Sequence, residues 1–247
     1  MIASGESSAG GAASRLCIAL DFPSRDEVLA AARLFAGRAG WLKVGLEAFV
    51  SEGPSLVTDV AATGARVFLD LKLHDIPNTV ARAVSAAART GASMVNVHAS
   101  GGRDMLVAAR KALGDDPGRP LLIAVTLLTS LDSRALADLP VAGTPEGIAR
   151  RLAVLSRDCG LDGVVCSPAD LSGIRAACGP SFLTVVPGIR PGGGSSGDQK
   201  RTGTPRAAIA AGADLLVVGR PITAADHPDA ALDLLLAEIE SARMPPR

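Results

Sequence analysis

The chain has 247 residues, with 25 Lys and Arg against 25 Asp and Glu, 48% hydrophobic residues and 2% aromatic ones. Zero net charge argues against the basic excess that nucleic acid or an acidic membrane demands, and so few aromatics leave little for stacking bases. No stretch of about 18 apolar residues is present to span a bilayer, and the length suits one large α/β domain.

The first 14 residues, MIASGESSAGGAAS, are small and polar and lack the basic start and apolar stretch of a signal peptide. They read as a flexible N-terminal tail, with residues 15–247 as the single folded domain. Cys17, Cys159, Cys166 and Cys178 show no C-x-x-C spacing and no clustering with His. They read as buried thiols of a cytoplasmic protein.

After the tail, a short apolar run, a loop and an Ala-rich amphipathic stretch recur eight times. The apolar runs are 16–21 (LCIALD), 41–46 (WLKVGL), 66–72 (RVFLDLK), 94–99 (MVNVHA), 121–128 (LLIAVTLL), 163–167 (GVVCS), 183–189 (LTVVPGI) and 215–220 (LLVVGR). Their near-continuous apolarity predicts strands covered on both faces, hence a parallel sheet. Helical spacing is clear over 26–35 and over 76–88. The pairs Gly64-Ala65, Gly91-Ala92 and Gly212-Ala213 fit helix C-caps leading into strands. Eight such units predict a single-domain (β/α)8 TIM barrel. The alternative, an open doubly wound sheet, lacks its G-x-G-x-x-G after the first strand, which ends in Asp21-Phe22-Pro23. Two long loops, 129–144 and 190–203, leave the carboxyl ends of strands five and seven, where barrel active sites lie.

The densest charge falls at the ends of the first three strands. Alternation places Phe68, Asp70 and Lys72 on one face of strand three. Charges there are costly unless paired or put to use. Lys43 in strand two and Asp21 at the end of strand one converge on the same mouth, and Asp75 follows where strand three becomes a loop. A structural ion pair for Asp70 and Lys72, and a helix cap for Asp75, are the plain alternatives. Arg190, the glycine run after it, the segment Asp198-Gln199-Lys200-Arg201, and Gly219-Arg220 form a second cluster, suited to an anion. His74 and His98 lie near the charged residues with no defined role, and His227 reads as surface.

The segment DLKLHDIPNT (70–79) resembles the signature of the orotidine 5′-phosphate decarboxylase family, in its bacterial branch. The likeness extends through ALD (19–21), LKVG (42–45), MVNVHASGG (94–102), PGIRP (187–191), GDQ (197–199) and VGRPIT (218–223). It implies decarboxylation of orotidine 5′-monophosphate to UMP with no metal and no organic cofactor. Lys72 would donate the proton to C6 of the pyrimidine, inside an alternating network of Lys43, Asp70, Lys72 and Asp75. Asp21 and Lys43 would hold ribose hydroxyls, and Thr129 would contact the pyrimidine. Arg190, Gln199, Gly219 and Arg220 would hold the phosphate. Asp75 and Thr79 would reach across the interface of a homodimer, and Ile76 would be among the substrate-binding residues. Two rivals share parts of this pattern. Phosphosugar decarboxylases and aldol-type synthases of the same barrel superfamily carry D-x-K-x-x-D and generally need Mg²⁺. A non-catalytic barrel could bind nucleotide alone.

Overall fold

The computed structural model describes residues 11–193 and 200–242. Its centre is a closed barrel of eight parallel strands in sequence order. They are β1 (Leu16–Ala19), β2 (Trp41–Val44), β3 (Arg66–Leu73), β4 (Met94–His98), β5 (Leu121–Val125), β6 (Gly163–Val165), β7 (Leu183–Val186) and β8 (Leu215–Val218). Every strand begins where its apolar run begins. Most end earlier, because the last apolar residues of several runs turn outward at the mouth. Leu46 and Arg220 already open helices α2 (Leu46–Glu52) and α10 (Arg220–Thr223).

The outer layer also holds α1 (Arg25–Phe35), α3 (Pro54–Ala61), α4 (Pro77–Ala88), α5 (Gly102–Ala112), α6 (Ser133–Leu136), α7 (Pro145–Asp158), α8 (Leu171–Cys178), α9 (Pro205–Ala210) and α11 (Pro228–Glu240). Ser24 caps α1 by accepting from the Glu27 N–H at 3.4 Å. Ile76, expected inside α4, is instead its N-cap at φ −59°, ψ 152°, because a residue before proline is pushed out of the helical region. Gly64, Gly91 and Gly212 adopt φ of 86°, 86° and 97°, the left-handed turn that ends a helix before a strand.

Alternation along the strands sorts the core into two parts. Outward residues such as Leu16, Ile18, Leu42, Val44 and Leu69 join the layer between barrel and helices. Inward residues, among them Cys17, Trp41, Phe68, Met94, Ile123, Val185 and Leu215, fill the barrel as an apolar plug. The Arg66 guanidinium lies 4.3 Å over the Trp41 ring at the amino-terminal end. Two carboxylates stitch that end together. Asp162 accepts from the Leu122 N–H at 2.7 Å and pairs with Arg119, and Asp214 accepts from the Thr184 N–H at 2.8 Å and pairs with Arg175.

The tail expected through Ser14 is corrected at its end. Ala13–Arg15 form a 3₁₀ turn, the Gly40 N–H donates to the Ala13 carbonyl at 2.7 Å, and the Ala12 N–H donates to Glu240 at 3.1 Å. Residues 1–10 lie outside the described residues.

At Gly163, β6 packs tightly against β7. A Cβ there would sit 2.8 Å from the Leu183 carbonyl carbon and closer still to its oxygen. Gly163→Ala is therefore expected to lower the unfolding free energy by about 1–3 kcal/mol, read as a lower urea midpoint at unchanged slope.

Candidate active site

The charged residues occupy the inward positions one layer above the plug. On β2, Lys43 follows Trp41 by two residues. On β3, Asp70 follows Phe68 by two. The same parity carries Asn96 on β4 above Met94. A cavity of about 420 Å³ opens over the plug at the carboxyl ends of the strands, within the ordinary size of a small-molecule site. Its walls include Asp21, Lys43, Asp70, Lys72, Thr129, Arg190, Gly219 and Arg220.

One continuous chain of alternating charge runs along the wall. Lys43 Nζ lies 3.1 Å from Asp21 Oδ1 and 3.4 Å from Asp70 Oδ2, and Lys72 Nζ donates to Asp70 Oδ1 at 2.6 Å. Lys43 and Asp70 are each only 8% exposed, so neither charge would survive there alone. Burial pushes the Asp70 pKa up, but the Lys43 and Lys72 charges, with hydrogen bonds from Lys72 and Asn96, hold it below the ordinary carboxylate value. Burial pushes Lys43 down, and Asp70 and Asp21 reverse this and hold it above the ordinary lysine value. Both stay ionised at neutral pH.

Strand β3 reaches this geometry through an irregularity. Leu69 pairs with Val95, yet Leu73 pairs with Val97, so β3 carries two extra residues against β4. An insertion of two preserves the alternation, and Asp70 and Lys72 still face the mouth while Leu71 and Leu73 face outward. Lys72 absorbs the insertion at φ 51°, the one non-glycine residue at positive φ among the described residues. That conformation costs about 1 kcal/mol for a side chain with a Cβ. The Lys72 N–H donates to Asn96 Oδ1 at 2.8 Å, and Asn96 Nδ2 donates to Asp70 Oδ1 at 2.7 Å.

Going round the mouth from β3 to β2 and β1 and on to β8 and β7, the cavity wall passes Lys72 and Asp70, Lys43, Asp21, Gly219 and Arg220, and Arg190. The two guanidinium groups thus follow β7 and β8, across the barrel from the β3 strand that carries Asp70 and Lys72, and Thr129 follows β5. The base of the loop after β7 is pinned by a short ladder. The Arg190 N–H donates to Gly203 O at 2.9 Å, and the Gly203 N–H donates to Gly188 O at 3.1 Å. Gln199 lies outside the described residues.

Two parts of the sequence reading change. Lys200 and Arg201, grouped there with the anion cluster, are taken up by contacts between loops. Lys200 Nζ lies 2.9 Å from Asp132 Oδ2, and Arg201 pairs with the fully buried Asp170 side chain. The N–H groups of both donate to the Thr129 carbonyl, at 3.2 and 3.3 Å. These contacts fix Thr129, and nothing in the local sequence of either loop signals them. Asp75 does not cap α4 either. Its carboxylate accepts from the neighbouring Ile76 N–H at 2.6 Å, and Asp75, Ile76 and Thr79 are exposed and outside their own chain's cavity.

The His74 and His98 rings are 5.5 Å apart, with His74 exposed. Burial, then the charges of His74 and Lys72, lower the His98 pKa. His227 is exposed. All four cysteines are free and buried. No cluster of His, Cys, Asp and Glu able to hold a metal occurs among the described residues, and no described helix is long and apolar enough to cross a membrane.

The comparisons with known proteins point one way. The model of the "Orotidine 5'-phosphate decarboxylase / HUMPS family" matches residues 14–235. A protein of Nitrosococcus oceani named orotidine 5′-phosphate decarboxylase is 51% identical over 92% of this chain and 98% of its own. One of the same name from Chromobacterium violaceum is 52% identical over 97% of this chain and 96% of its own. The crystal structure of orotidine 5′-phosphate decarboxylase from Lactobacillus acidophilus superimposes with a TM-score of 0.80 at 34% identity, covering 92% of this chain and 99% of that one.

Asp70 is expected to hold two ammonium groups in place, so Asp70→Asn should cost about 3 kcal/mol of stability near neutrality. A carboxylate whose folded pKa is depressed stabilises above its unfolded pKa of about 3.9, and that stabilisation fades as pH falls through the folded value. The stability difference between the unsubstituted protein and Asp70→Asn should be flat between about pH 6 and 8 and shrink below about pH 4. Denaturant unfolding across that range measures it.

Proposed function

This chain belongs to the orotidine 5′-phosphate decarboxylase / HUMPS family, and from that premise we propose how its residues carry out the decarboxylation of orotidine 5′-monophosphate to UMP and CO₂ in pyrimidine biosynthesis. The observation that carries the reading is the Asp21–Lys43–Asp70–Lys72 chain, which opens on a cavity bearing Arg190 and Arg220 at its far side.

The bond from C6 to the carboxylate breaks, and its electron pair stays on C6 in the plane of the ring. No adjacent carbonyl takes up that pair, so fixed charge has to stabilise it. Lys72 lies beside the developing anion as an ammonium, and its proton moves to C6 as CO₂ departs. Asp70 faces the substrate carboxylate. Two carboxylates about 3 Å apart repel by ~5 kcal/mol at an effective dielectric near 20, and the repulsion ends when neutral CO₂ forms. The larger part of the effect is preorganisation. Each charge is already held by a neighbour of opposite sign, so little has to reorient during the reaction.

Asp21 and Lys43 bind ribose hydroxyls between the reacting centre and the phosphate. Arg190, Gly219 and Arg220, with Gln199, hold the phosphate through guanidinium groups and backbone N–H. Thr129 contacts the pyrimidine from the loop after β5. No step is assigned to a metal or an organic cofactor. The protein works in the cytoplasm, where its buried cysteines stay reduced.

The protein acts as a homodimer. Asp75, Ile76 and Thr79 stand within seven residues of Lys72 yet outside its cavity, and Ile76 is 68% exposed. Beside them an apolar groove of about 530 Å³ lies between α3 and α4, with Leu71 and Leu73 in its lining. Burying this face against a second copy would bring Asp75, Ile76 and Thr79 of one subunit to the site of the other.

The purified protein should consume orotidine 5′-monophosphate at an undiminished rate in excess chelator, followed by the substrate's absorbance. Lys72→Ala should abolish turnover without loss of fold. Dependence on added Mg²⁺ would favour the phosphosugar branch, and tight UMP binding without turnover a non-catalytic barrel. Mixing Asp75→Asn with Lys72→Ala subunits should restore about one quarter of full activity, since half the dimers are mixed and each holds one intact site. No recovery, with subunit exchange verified, would place Asp75 in its own chain's site, and full activity of Asp75→Asn alone would place it outside the chemistry.

A further inference from the structure

We propose that Asn96 is a positioning residue for this reaction, a neutral clamp that fixes the carboxylate of Asp70 and the backbone of Lys72 with one side-chain amide. The proposal rests on Asp70 and Lys72 being the reacting pair.

Asn96 is 1% exposed and does not line the cavity, so it has no contact with substrate. It sits on the inward face of β4, beneath the point where β3 gains its two extra residues. Its amide makes two bonds of opposite polarity there. Oδ1 accepts from the Lys72 N–H at 2.8 Å, and Nδ2 donates to Asp70 Oδ1 at 2.7 Å. The first bond holds Lys72 in its left-handed conformation, at φ 51°. The second, with Lys72 Nζ on the same oxygen and Lys43 facing the other, stops the Asp70 carboxylate from turning.

The chemistry at this position is narrow. It needs a donor toward Asp70 and an acceptor toward the Lys72 N–H on one short side chain. A hydrocarbon offers neither. A carboxylate offers only the acceptor and would repel Asp70. A third cation would weaken the field that Asp70 exerts on Lys72 and on the substrate carboxylate. An amide supplies both bonds without adding charge, and its burial leaves it no alternative partner in water.

The test compares Asn96→Ala, Asn96→Asp and Lys72→Ala in the full-length protein, with kcat, KM, thermal midpoint and the pH profile measured for each. Asn96→Ala should lower kcat by roughly 10- to 100-fold while KM stays within about twofold, because the binding groups on the other walls are untouched. Asn96→Asp retains the shape and the acceptor for Lys72 and loses the donor to Asp70. At neutral pH its kcat should fall at least as far. The new carboxyl faces a like charge and takes up a proton above the ordinary range, which restores a donor. Its kcat relative to the unsubstituted protein should therefore rise as pH falls from about 8 to about 5. A role in stability alone would lower the thermal midpoint and leave these ratios flat.

A folded Asn96→Ala protein with kcat within about threefold of the unsubstituted protein, or an Asn96→Asp ratio that does not change with pH, overturns the proposal. If Asn96→Ala does not fold, the isosteric Asn96→Asp decides alone. Normal turnover in Lys72→Ala would instead overturn the assignment of the reacting pair, and this inference with it. Loss in Lys72→Ala beside unaffected Asn96 variants would overturn the role of Asn96 only.

Discussion

Everything at the mouth of this barrel depends on one carboxylate held between two ammonium groups. Asp70 is buried, and the charges of Lys43 and Lys72, with hydrogen bonds from Lys72 and Asn96, make its ionised form stable there. The reverse also holds, since Lys43 stays charged in the same buried setting because Asp70 and Asp21 flank it. Removing any inner member leaves an uncompensated charge. The ammonium group proposed to stabilise a ring anion is thus held in place by the same interactions that stabilise the fold locally.

The barrel makes this arrangement possible. Its inward positions come in layers, and the lower layer is sealed by Trp41, Phe68, Met94 and their neighbours. The plug gives the cavity an apolar floor of low dielectric constant, which strengthens the interactions above it. The two extra residues in β3 let Asp70 and Lys72 rise from that floor without leaving the inward face. Their cost is a lysine in a left-handed conformation, and a buried amide on the next strand offsets it.

The rim is tied together in the same local manner. Lys200 and Arg201 carry positive charge next to what reads as an anion site, yet both are held by carboxylates of neighbouring loops. Their backbone N–H groups fix the carbonyl of Thr129. Charge counted along the chain therefore overstated the anion cluster, because a carboxylate distant in sequence can neutralise it.

The sequence by itself determined the barrel and most of the charged wall. Apolar runs, three of them preceded by Gly-Ala turns, report strand starts directly, since burial on both faces is a composition signal, and each of the eight starts was readable. The i, i+2 spacing of Phe68, Asp70 and Lys72 was readable for the same reason, because alternation is a local property of extended backbone. Only the tertiary structure decided what Asn96 does. An asparagine inside MVNVH looks like one polar interruption in a strand until β3 slips by two residues against it. Only the tertiary structure, too, set Arg201 against Asp170 and left Asp75, Ile76 and Thr79 facing away from their own cavity. These features depend on register and on pairings between distant segments, and a linear pattern carries no record of which strands and loops become neighbours.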